Sequence, residues 1–239
     1  MRAVGGANIW LEYADHRNTE YGVELLSLPT RPHPARKGTL VDVPGRNGKL
    51  FMDEGAYDRI LVPIRMMAVD GNMDAVGGWL SGSGLLRFGD DPNRAYRASV
   101  TKEFSVSNRN PRLRGQEFTA TFDCEPFRYV YPAPEAIEVT VSGTTIQNPG
   151  NVFSQPEIRV TGSGDIALVV NGYYVEARGL TDGAIIDCER METFNLAKTA
   201  SMNGSFVMDE FPVLRPGPNI ITWVGSVTKL EIAPGWRYL

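Results

Sequence analysis

Neighbouring acidic residues are the parts of this sequence best suited to acid–base chemistry. Asp90 adjoins Asp91, and Asp53 is followed by Glu54. Two nearby carboxylates can act as general acid and general base. However, Asp90 and Asp91 precede Pro92 in a stretch that is typical of a turn, where short acidic side chains bond to nearby backbone N–H groups. We therefore interpret them as turn residues and predict no catalytic residue.

Metal-binding and phosphate-binding patterns are also missing from the sequence. The two histidines, His16 and His33, lie in polar segments without a second ligand at metal spacing, which disfavours a zinc site or a Ser-His-Asp triad. The Gly-Ser-Gly segments at residues 82–84 and 162–164 lack the lysine of a phosphate-binding loop. The sequence thus predicts no metal, no cofactor and no enzymatic activity.

Aromatic residues offer a second kind of chemistry, because exposed rings stack on sugars. Tyr174 and Trp223 are the candidate glycan contacts. Such residues are more often part of a core or an interface, and alternation along a strand places Tyr173 and Tyr174 on opposite faces. Glycan binding is therefore retained as the alternative to a purely structural role.

Charge and cysteine content restrict the classes of partner. The chain has 24 basic and 28 acidic residues, a net charge of −4, which disfavours the wrapping of nucleic acid and gives no basis for sequence-specific nucleic-acid binding. Cys124 and Cys188 are predicted to be free thiols of an intracellularly made protein. The first residues do not resemble a secretory signal, and no apolar run has the length of a membrane span.

Short alternating apolar runs separated by glycine and proline predict a mainly β protein. The 239 residues include 25 glycines and 16 prolines, which are spread between these runs. We expect two β-sandwich-type domains, residues 1–131 and 132–239, with one short helix in the first. Asn171-Gly172 is the strongest hairpin signal. Turns are also predicted at residues 162–165 and 225–226.

The helix is predicted to lead into a hairpin within residues 79–100. An apolar run at Leu85, Leu86 and Phe88 predicts one strand, residues 89–93 predict the turn, and Tyr96 and Ala98 lie on one face of the second strand. Downstream, residues 125–129 interrupt the alternation of the preceding strand.

A proline-rich, basic segment precedes these elements. Residues 29–38 contain three prolines and four basic residues, which disfavours a regular ladder and predicts an exposed extended segment. It is either a solvated loop or a strap that reaches a neighbouring subunit. Further turns are predicted at Asn47-Gly48 and at residues 53–55. The candidate residues for subunit contacts are Arg31, Arg36, Lys37 and Arg46.

The order and spacing of these motifs resemble those of the distal tail proteins of long-tailed bacteriophages. In the first domain, the resemblance rests on residues 43–48, 57–64 and 79–98; in the second, on residues 149–151, 162–166, 171–172, 186–189 and 234–237. Within residues 79–98, the residues that carry the resemblance are Trp79, Asp90, Asp91, Pro92, Arg94 and Tyr96.

The resemblance implies a structural protein of the virion, made in the host cytoplasm. It implies a tail-tube-like N-terminal domain with a belt at about residues 30–49 that clasps the next subunit, and a galectin-like or carbohydrate-module-like C-terminal domain. In this family a homohexameric ring with a central channel for DNA joins the tail tube to the tail-associated lysin or fibre hub and to receptor-binding proteins at the tail tip. No membrane insertion is expected.

Overall fold

The computed structural model describes residues 9–27, 29–69, 73–104 and 115–239. The chain divides into two compact units, one that ends at Tyr131 and includes Leu239, and one from Pro132 to Tyr238. Strands dominate both units, and the described residues form one α-helix. The prediction of a mainly β protein with one short helix is confirmed.

The first unit contains one helix, α1 (Met73–Trp79), and a 3-10 turn at Asn18–Tyr21. Its strands are β1 (Leu11–Tyr13), β2 (His16–Arg17), β3 (Val23–Leu25), β4 (Arg36–Asp42), β5 (Lys49–Tyr57), β6 (Ile60–Val69), β7 (Ser83–Phe88), β8 (Asp91–Val100) and β9 (Gly115–Val130). A curled sheet has the order β2-β1-β7-β8-β9-β6-β3, whereas β4 and β5, among the described strands, pair only with each other.

One face of this sheet packs against α1 and forms the core of the first unit. Alternation along β6 places Ile60, Val62, Ile64 and Met66 in the core, while Leu61 on the other face is 43% exposed. The nearly continuous apolar run of β6 is therefore buried on only one face. At Pro63, β6 has a partner strand on one side only, which is β9. The other neighbour, β3, pairs with β6 from Met66 onward, so the missing N–H of the proline interrupts no ladder there.

Two segments of the first unit that were predicted to interrupt strands lie largely within strands. Pro92 lies inside β8, and the reversal between β7 and β8 takes only residues 89–90. A register shift between Leu86 and Phe88 accommodates the extra residues of β8. Similarly, β9 continues to Val130 through residues 125–129, with a register shift opposite Tyr96 and Ala98. In both places a proline marks a bulge rather than a strand end.

The second unit is built around two long strands that pair along most of their length. They are β12 (Glu157–Val170) and β17 (Gly217–Ala233). The remaining strands are β10 (Ile137–Glu138), β11 (Thr144–Asn148), β13 (Tyr173–Leu180), β14 (Gly183–Asp187), β15 (Glu192–Phe194), β16 (Phe206–Met208) and β18 (Arg237–Tyr238), and a 3-10 turn spans Asn203–Ser205. The first half of β12 pairs with β14 and the second half with β13.

The turns predicted at residues 162–165 and 225–226 are wrong, because both segments lie within continuous strands. They face each other where Ser163 pairs with Ser226, and the register of β12 and β17 shifts on either side of that pair. These bulges bend both strands. As a result, Val160 and Ile186 from one half of the sheet line the same core as Leu168 and Val175 from the other half.

The predicted Asn171-Gly172 turn is confirmed. Val170 pairs with Tyr173, and both turn residues have positive φ, 52° for Asn171 and 87° for Gly172. This two-residue turn matches the right-handed twist of its strands, and asparagine and glycine tolerate its backbone best. The β12–β13 hairpin is thereby joined to β17 on one side and to β16 on the other.

Candidate functional site

The β4–β5 hairpin, which we call the arm (residues 36–57), is almost entirely exposed and carries several large apolar side chains. Its strands pair Leu40 with Phe51 and Val41 with Leu50. The connection includes a turn in which Arg46 N–H donates to the carbonyl of Val43 at 3.1 Å, with Gly45 at φ 79°. The arm is therefore a regular two-stranded ribbon.

The structure corrects one predicted turn in this segment. The predicted turn at residues 53–55 lies inside β5, where Gly55 has φ 73° and its N–H donates to the Asp53 carboxylate at 2.8 Å. It is a bulge, since Arg36 pairs with Tyr57 but Gly38 already pairs with Asp53. The hairpin spans residues 36–57 and overlaps the expected belt at about residues 30–49.

Large apolar side chains of the arm are exposed on both of its faces. Leu40 is 60% exposed, Met52 57% and Phe51 44%. Pairing places Leu40 and Phe51 on one face and Met52 on the other. Single exposed apolar residues are ordinary on protein surfaces, but a cluster on a projecting ribbon is typical of an interaction site.

The close packing of Phe51 over Gly38 explains a glycine in the middle of β4. A β-carbon at position 38 would overlap the ring of Phe51 and the carbonyl oxygen of Met52. The aromatic ring thus covers the backbone of the opposite strand. Glycine at this position keeps the two strands of the arm close together.

The base of the arm is attached to the sheet of the first unit. The ring of Tyr57 contacts that of Phe127 edge to face, with 5.8 Å between the ring centroids. Arg59, directly after the arm, donates from Nε to the Asp123 carboxylate at 2.7 Å. The Asp58 N–H donates to the Ala35 carbonyl at 2.9 Å. These contacts fix where the arm leaves the sheet.

The four basic candidates do not form one cluster. Arg36 pairs with Asp53 and lies 5.1 Å from the ring centroid of Tyr57, so its contacts are internal to the arm. Lys37 lies 3.9 Å from an Asp58 carboxylate oxygen. Within the described residues, no ion pair is found for Arg46, which is exposed at the end of the arm.

Arg31 connects the segment before the arm to the β7–β8 turn. Its guanidinium pairs with the Asp90 carboxylate and lies 5.2 Å from the ring centroid of Phe88. The two partners are 59 positions apart in sequence. Arg31 and Asp90, which the sequence analysis assigns to different motifs, therefore act together in positioning the segment before the arm.

Asp91, the other acidic motif residue, is also paired with arginine side chains. The Asp91 carboxylate accepts from Arg128 Nη1 at 3.1 Å and lies 3.6 Å from Arg94. The carbonyl of Pro92 accepts from Arg87 Nη1 at 3.2 Å. Asp90 and Asp91 thus both have ion-pair partners, and Asp91 lies at the start of β8 rather than in the predicted turn.

Trp79 and Tyr96 belong to the core beneath this surface. The indole N–H of Trp79 donates to the Tyr13 carbonyl at 3.0 Å, and its ring stacks on Tyr21 with 4.9 Å between centroids. Burial raises the pKa of the Tyr96 hydroxyl, and Arg128 and Arg31 oppose that shift. Trp79 thus connects the end of α1 to β1 and to the 3-10 turn, and Tyr96 of β8 lies in the same core.

Both cysteines are free, as predicted, and the structure shows that both are buried. Burial raises the pKa of the Cys124 thiol to about 12, and it raises that of Cys188 as well. A thiol is nucleophilic only as the thiolate, so neither cysteine is suited to nucleophilic chemistry near neutral pH.

No group of three or more metal-binding side chains occurs among the described residues. His16 Nδ1 lies 2.9 Å from the Glu20 carboxylate, and His33 Nδ1 lies 3.0 Å from the Pro34 carbonyl. Nor does the described part of the chain contain a helix long and apolar enough to cross a membrane.

The two glycan candidates lie on opposite faces of the second sheet. Tyr174 pairs with Val169 and is 51% exposed, whereas Trp223 pairs with Leu168, which faces the core. The structure therefore does not bring them together into one stacking platform. On the face of Tyr174, sequence analysis missed Ile220 and Val224, which are 54% and 76% exposed. Their position on β17 follows from strand pairing, which the sequence does not specify.

Comparison with known proteins finds a similar fold in a solved structure. No protein-family model matches the sequence, and no curated protein does. A search of solved structures finds the phage SPP1 Dit protein, with a TM-score of 0.69 over 97% of this chain and 99% of that one, at 14% sequence identity. The chain has the fold of SPP1 Dit.

The resemblance to distal tail proteins is thus confirmed at the level of the fold. SPP1 Dit is described as a paradigm of the hub adsorption apparatus in phages that infect Gram-positive bacteria. The match to Dit includes both compact units, since almost the whole length of each chain is aligned. The galectin-like character of the second unit stays a prediction.

Proposed function

We propose that this chain is a non-enzymatic structural subunit of the tail tip of a long-tailed phage. The observation that carries this proposal is the Dit-like fold over 97% of the chain. A shared domain alone would be compatible with many functions, because folds are reused. Here the fold agrees with that of SPP1 Dit over both units and over almost the whole Dit chain. This agreement supports an assembly of the same type as that of Dit.

In this proposal six copies form a ring around a central channel through which DNA passes. The ring joins the tail tube to the tail-associated lysin or fibre hub and supports receptor-binding proteins. The net charge of −4 is consistent with a channel that does not retain DNA. A ring of this type uses a heterologous interface, in which one surface of each copy contacts a different surface of the next.

The arm is the element that we assign to this interface. A two-stranded ribbon is at best marginally stable in water unless it packs against something else. The arm nevertheless exposes Leu40, Phe51 and Met52, and its strands pair only with each other. Covering these side chains on the next subunit would stabilise both the arm and the ring. The belt function thus belongs to residues 36–57 rather than 30–49.

The mass of the purified protein in solution tests the ring directly. We expect a species of six times the 26.3 kDa of one chain, with an open centre in negative-stain images. Because assembly depends on mass action, the measurement must extend over a wide range of concentrations. A chain that stays monomeric throughout, also with its tail-tube protein present, would contradict the proposal.

A triple variant of the arm tests how the ring is held together. Leu40→Ser, Phe51→Ser and Met52→Ser together should abolish the hexamer, since they remove the apolar surface that the next subunit covers. Unfolding of each unit should change by no more than about 0.5 kcal/mol per substitution, the usual range for exposed sites. The matched control is Val141→Ser with Val224→Ser, at exposed sites of the second unit that are 64% and 76% accessible. An intact hexamer in the triple variant would exclude the arm from the interface.

Glycan binding by the second unit is the alternative, and exposed Tyr174 is the observation that favours it. Its ring lies on the same sheet face as Ile220 and Val224. If this face binds host cell-wall sugars, Tyr174→Ala should remove binding on a glycan array, while Val207→Ala on the neighbouring strand should preserve most of it. An array on which the unaltered protein binds no glycan would reject this alternative.

A further inference from the structure

Three Asn-Gly pairs occur in the sequence, at residues 47–48, 171–172 and 203–204. This dipeptide is chemically labile, because glycine has no side chain to hinder attack of its backbone nitrogen on the preceding side-chain amide. The structure places the three pairs in different surroundings. Their comparison therefore separates the effect of the fold from that of the dipeptide itself.

Asn47 is the least restrained of the three. It lies in the exposed connection between β4 and β5, and no hydrogen bond of its side-chain amide is found in the described part of the chain. Gly48, at φ 75°, has nothing within 4 Å of the position of a β-carbon. Both the amide carbon of Asn47 and the nitrogen that attacks it are thus open to solvent and free of packing.

Hydrogen bonds hold the other two asparagines. Asn171 Oδ1 accepts from the Ile220 N–H at 3.0 Å, and its Nδ2 donates to Asn219. Asn203 Oδ1 accepts from both the N–H and the hydroxyl of Thr193, each at 2.8 Å. To react, either side chain would first have to break these bonds and rotate toward the following backbone nitrogen.

We propose that Asn47 is a site of spontaneous deamidation in the folded protein. The backbone nitrogen of Gly48 loses its proton and attacks Cγ of Asn47, so that a C–N bond forms and ammonia leaves. Water then opens the cyclic imide at either carbonyl, which yields aspartate or isoaspartate. The balance is one water consumed and one ammonia released, without an oxidant or reductant.

The reaction adds one negative charge at the end of the arm. The new carboxylate lies between Arg46 and Lys49 in sequence, and the isoaspartate product also lengthens the backbone by one carbon. The modification would therefore change both the charge and the geometry of the exposed connection. The proposal itself concerns the single folded chain and does not depend on ring formation.

Peptide mapping of the aged folded protein tests this inference. After incubation in mildly alkaline buffer, a protease that cleaves after acidic residues gives residues 43–53, 166–176 and 193–209 as separate peptides. Because the aspartate product is itself a cleavage site, conversion is measured as the peptide of increased mass plus the two fragments cut after the new aspartate. We expect this sum to accumulate several-fold faster in the first peptide. Conversion of Asn47 at or below the rate of Asn171 and Asn203 would overturn the proposal.

Two controls connect the difference to the fold. In urea, where the hydrogen bonds of Asn171 and Asn203 are lost, the three rates should move close together, with the largest increases at these two sites. If Asn47 kept its full lead in the unfolded chain, the structural explanation would be rejected. Asn47→Gln, an exposed and conservative substitution, should remove the product from the first peptide and leave the other two rates unchanged.

Discussion

The arm and the β12–β13 hairpin both carry an Asn-Gly pair in their connection, yet only the second hairpin is part of a larger sheet. In β12–β13, the turn residue Asn171 bonds to Asn219 and Ile220 of β17. In the arm, Asn47 is exposed and the strands pair only with each other. The same dipeptide thus ends two ribbons whose stability has different sources.

This difference shows that local turn chemistry does not determine what a hairpin packs against. Val170 and Val175 are buried in the core of the second unit, whereas the corresponding apolar residues of the arm, such as Leu40 and Met52, are exposed. Burial within the chain stabilises the β12–β13 hairpin. The arm lacks this burial, and its exposed apolar residues are the reason why we propose that another subunit covers it.

The largest expected effect is the loss of the Asn219 amide. This side chain is fully buried; its Oδ1 accepts from the Arg215 N–H at 2.7 Å, and its Nδ2 donates to the carbonyls of Arg215 and Gly217 at 2.9 and 2.8 Å. Asn219→Ala would leave buried polar groups without partners and should destabilise the second unit by about 3 kcal/mol in urea unfolding. Asn47→Ala is the matched control, with an expected change within about 0.5 kcal/mol. Equal effects at the two sites would contradict the comparison.

A pair of glycine substitutions compares β4 of the arm with β14, the strand that pairs with the first half of β12. A β-carbon at Gly183 would overlap the carbonyl of Val160, and one at Gly38 would overlap the carbonyl of Met52. Gly183→Ala should cost about 2 kcal/mol of global stability, since φ is also 132° and the strand is buried. Gly38→Ala should open only the arm: hydrogen exchange should speed up in β4 and β5, with little change in global unfolding. A global loss of similar size in both variants would mean that the arm is part of the folded core.

Local rules predicted the elements of the fold that depend on neighbouring residues. The Asn171-Gly172 turn is an example, because positive φ at both positions is a local requirement. The same rules misassigned residues 162–165 and 225–226, where glycine produces a bulge within paired strands. Whether such a segment reverses or only bends the chain depends on a partner strand about 60 residues away, as the pairing of Ser163 with Ser226 illustrates.

The candidate site shows the same limit. Sequence analysis identified Arg31 and Asp90 separately but could not predict their ion pair, because it depends on how the segment before the arm crosses the β7–β8 turn. Likewise, Arg36 stays a candidate subunit contact, but its ion pair with Asp53 could not be predicted, because it depends on strand pairing within the arm. What it did predict was an exposed segment in this part of the chain, since its prolines and charges disfavour burial.

The smallest expected effect is the removal of an ion pair within the arm. Arg36 and Asp53 have side chains that are 50% and 39% exposed, so their attraction is screened by water and salt. Arg36→Ala should therefore change global stability by less than about 0.5 kcal/mol in urea unfolding. Its contact with the Tyr57 ring adds packing at the base of the arm, so exchange of the nearby amides should rise slightly. A global loss above about 1 kcal/mol would mean that the ribbon is coupled to the sheet of the first unit, because an exposed pair alone does not contribute that much.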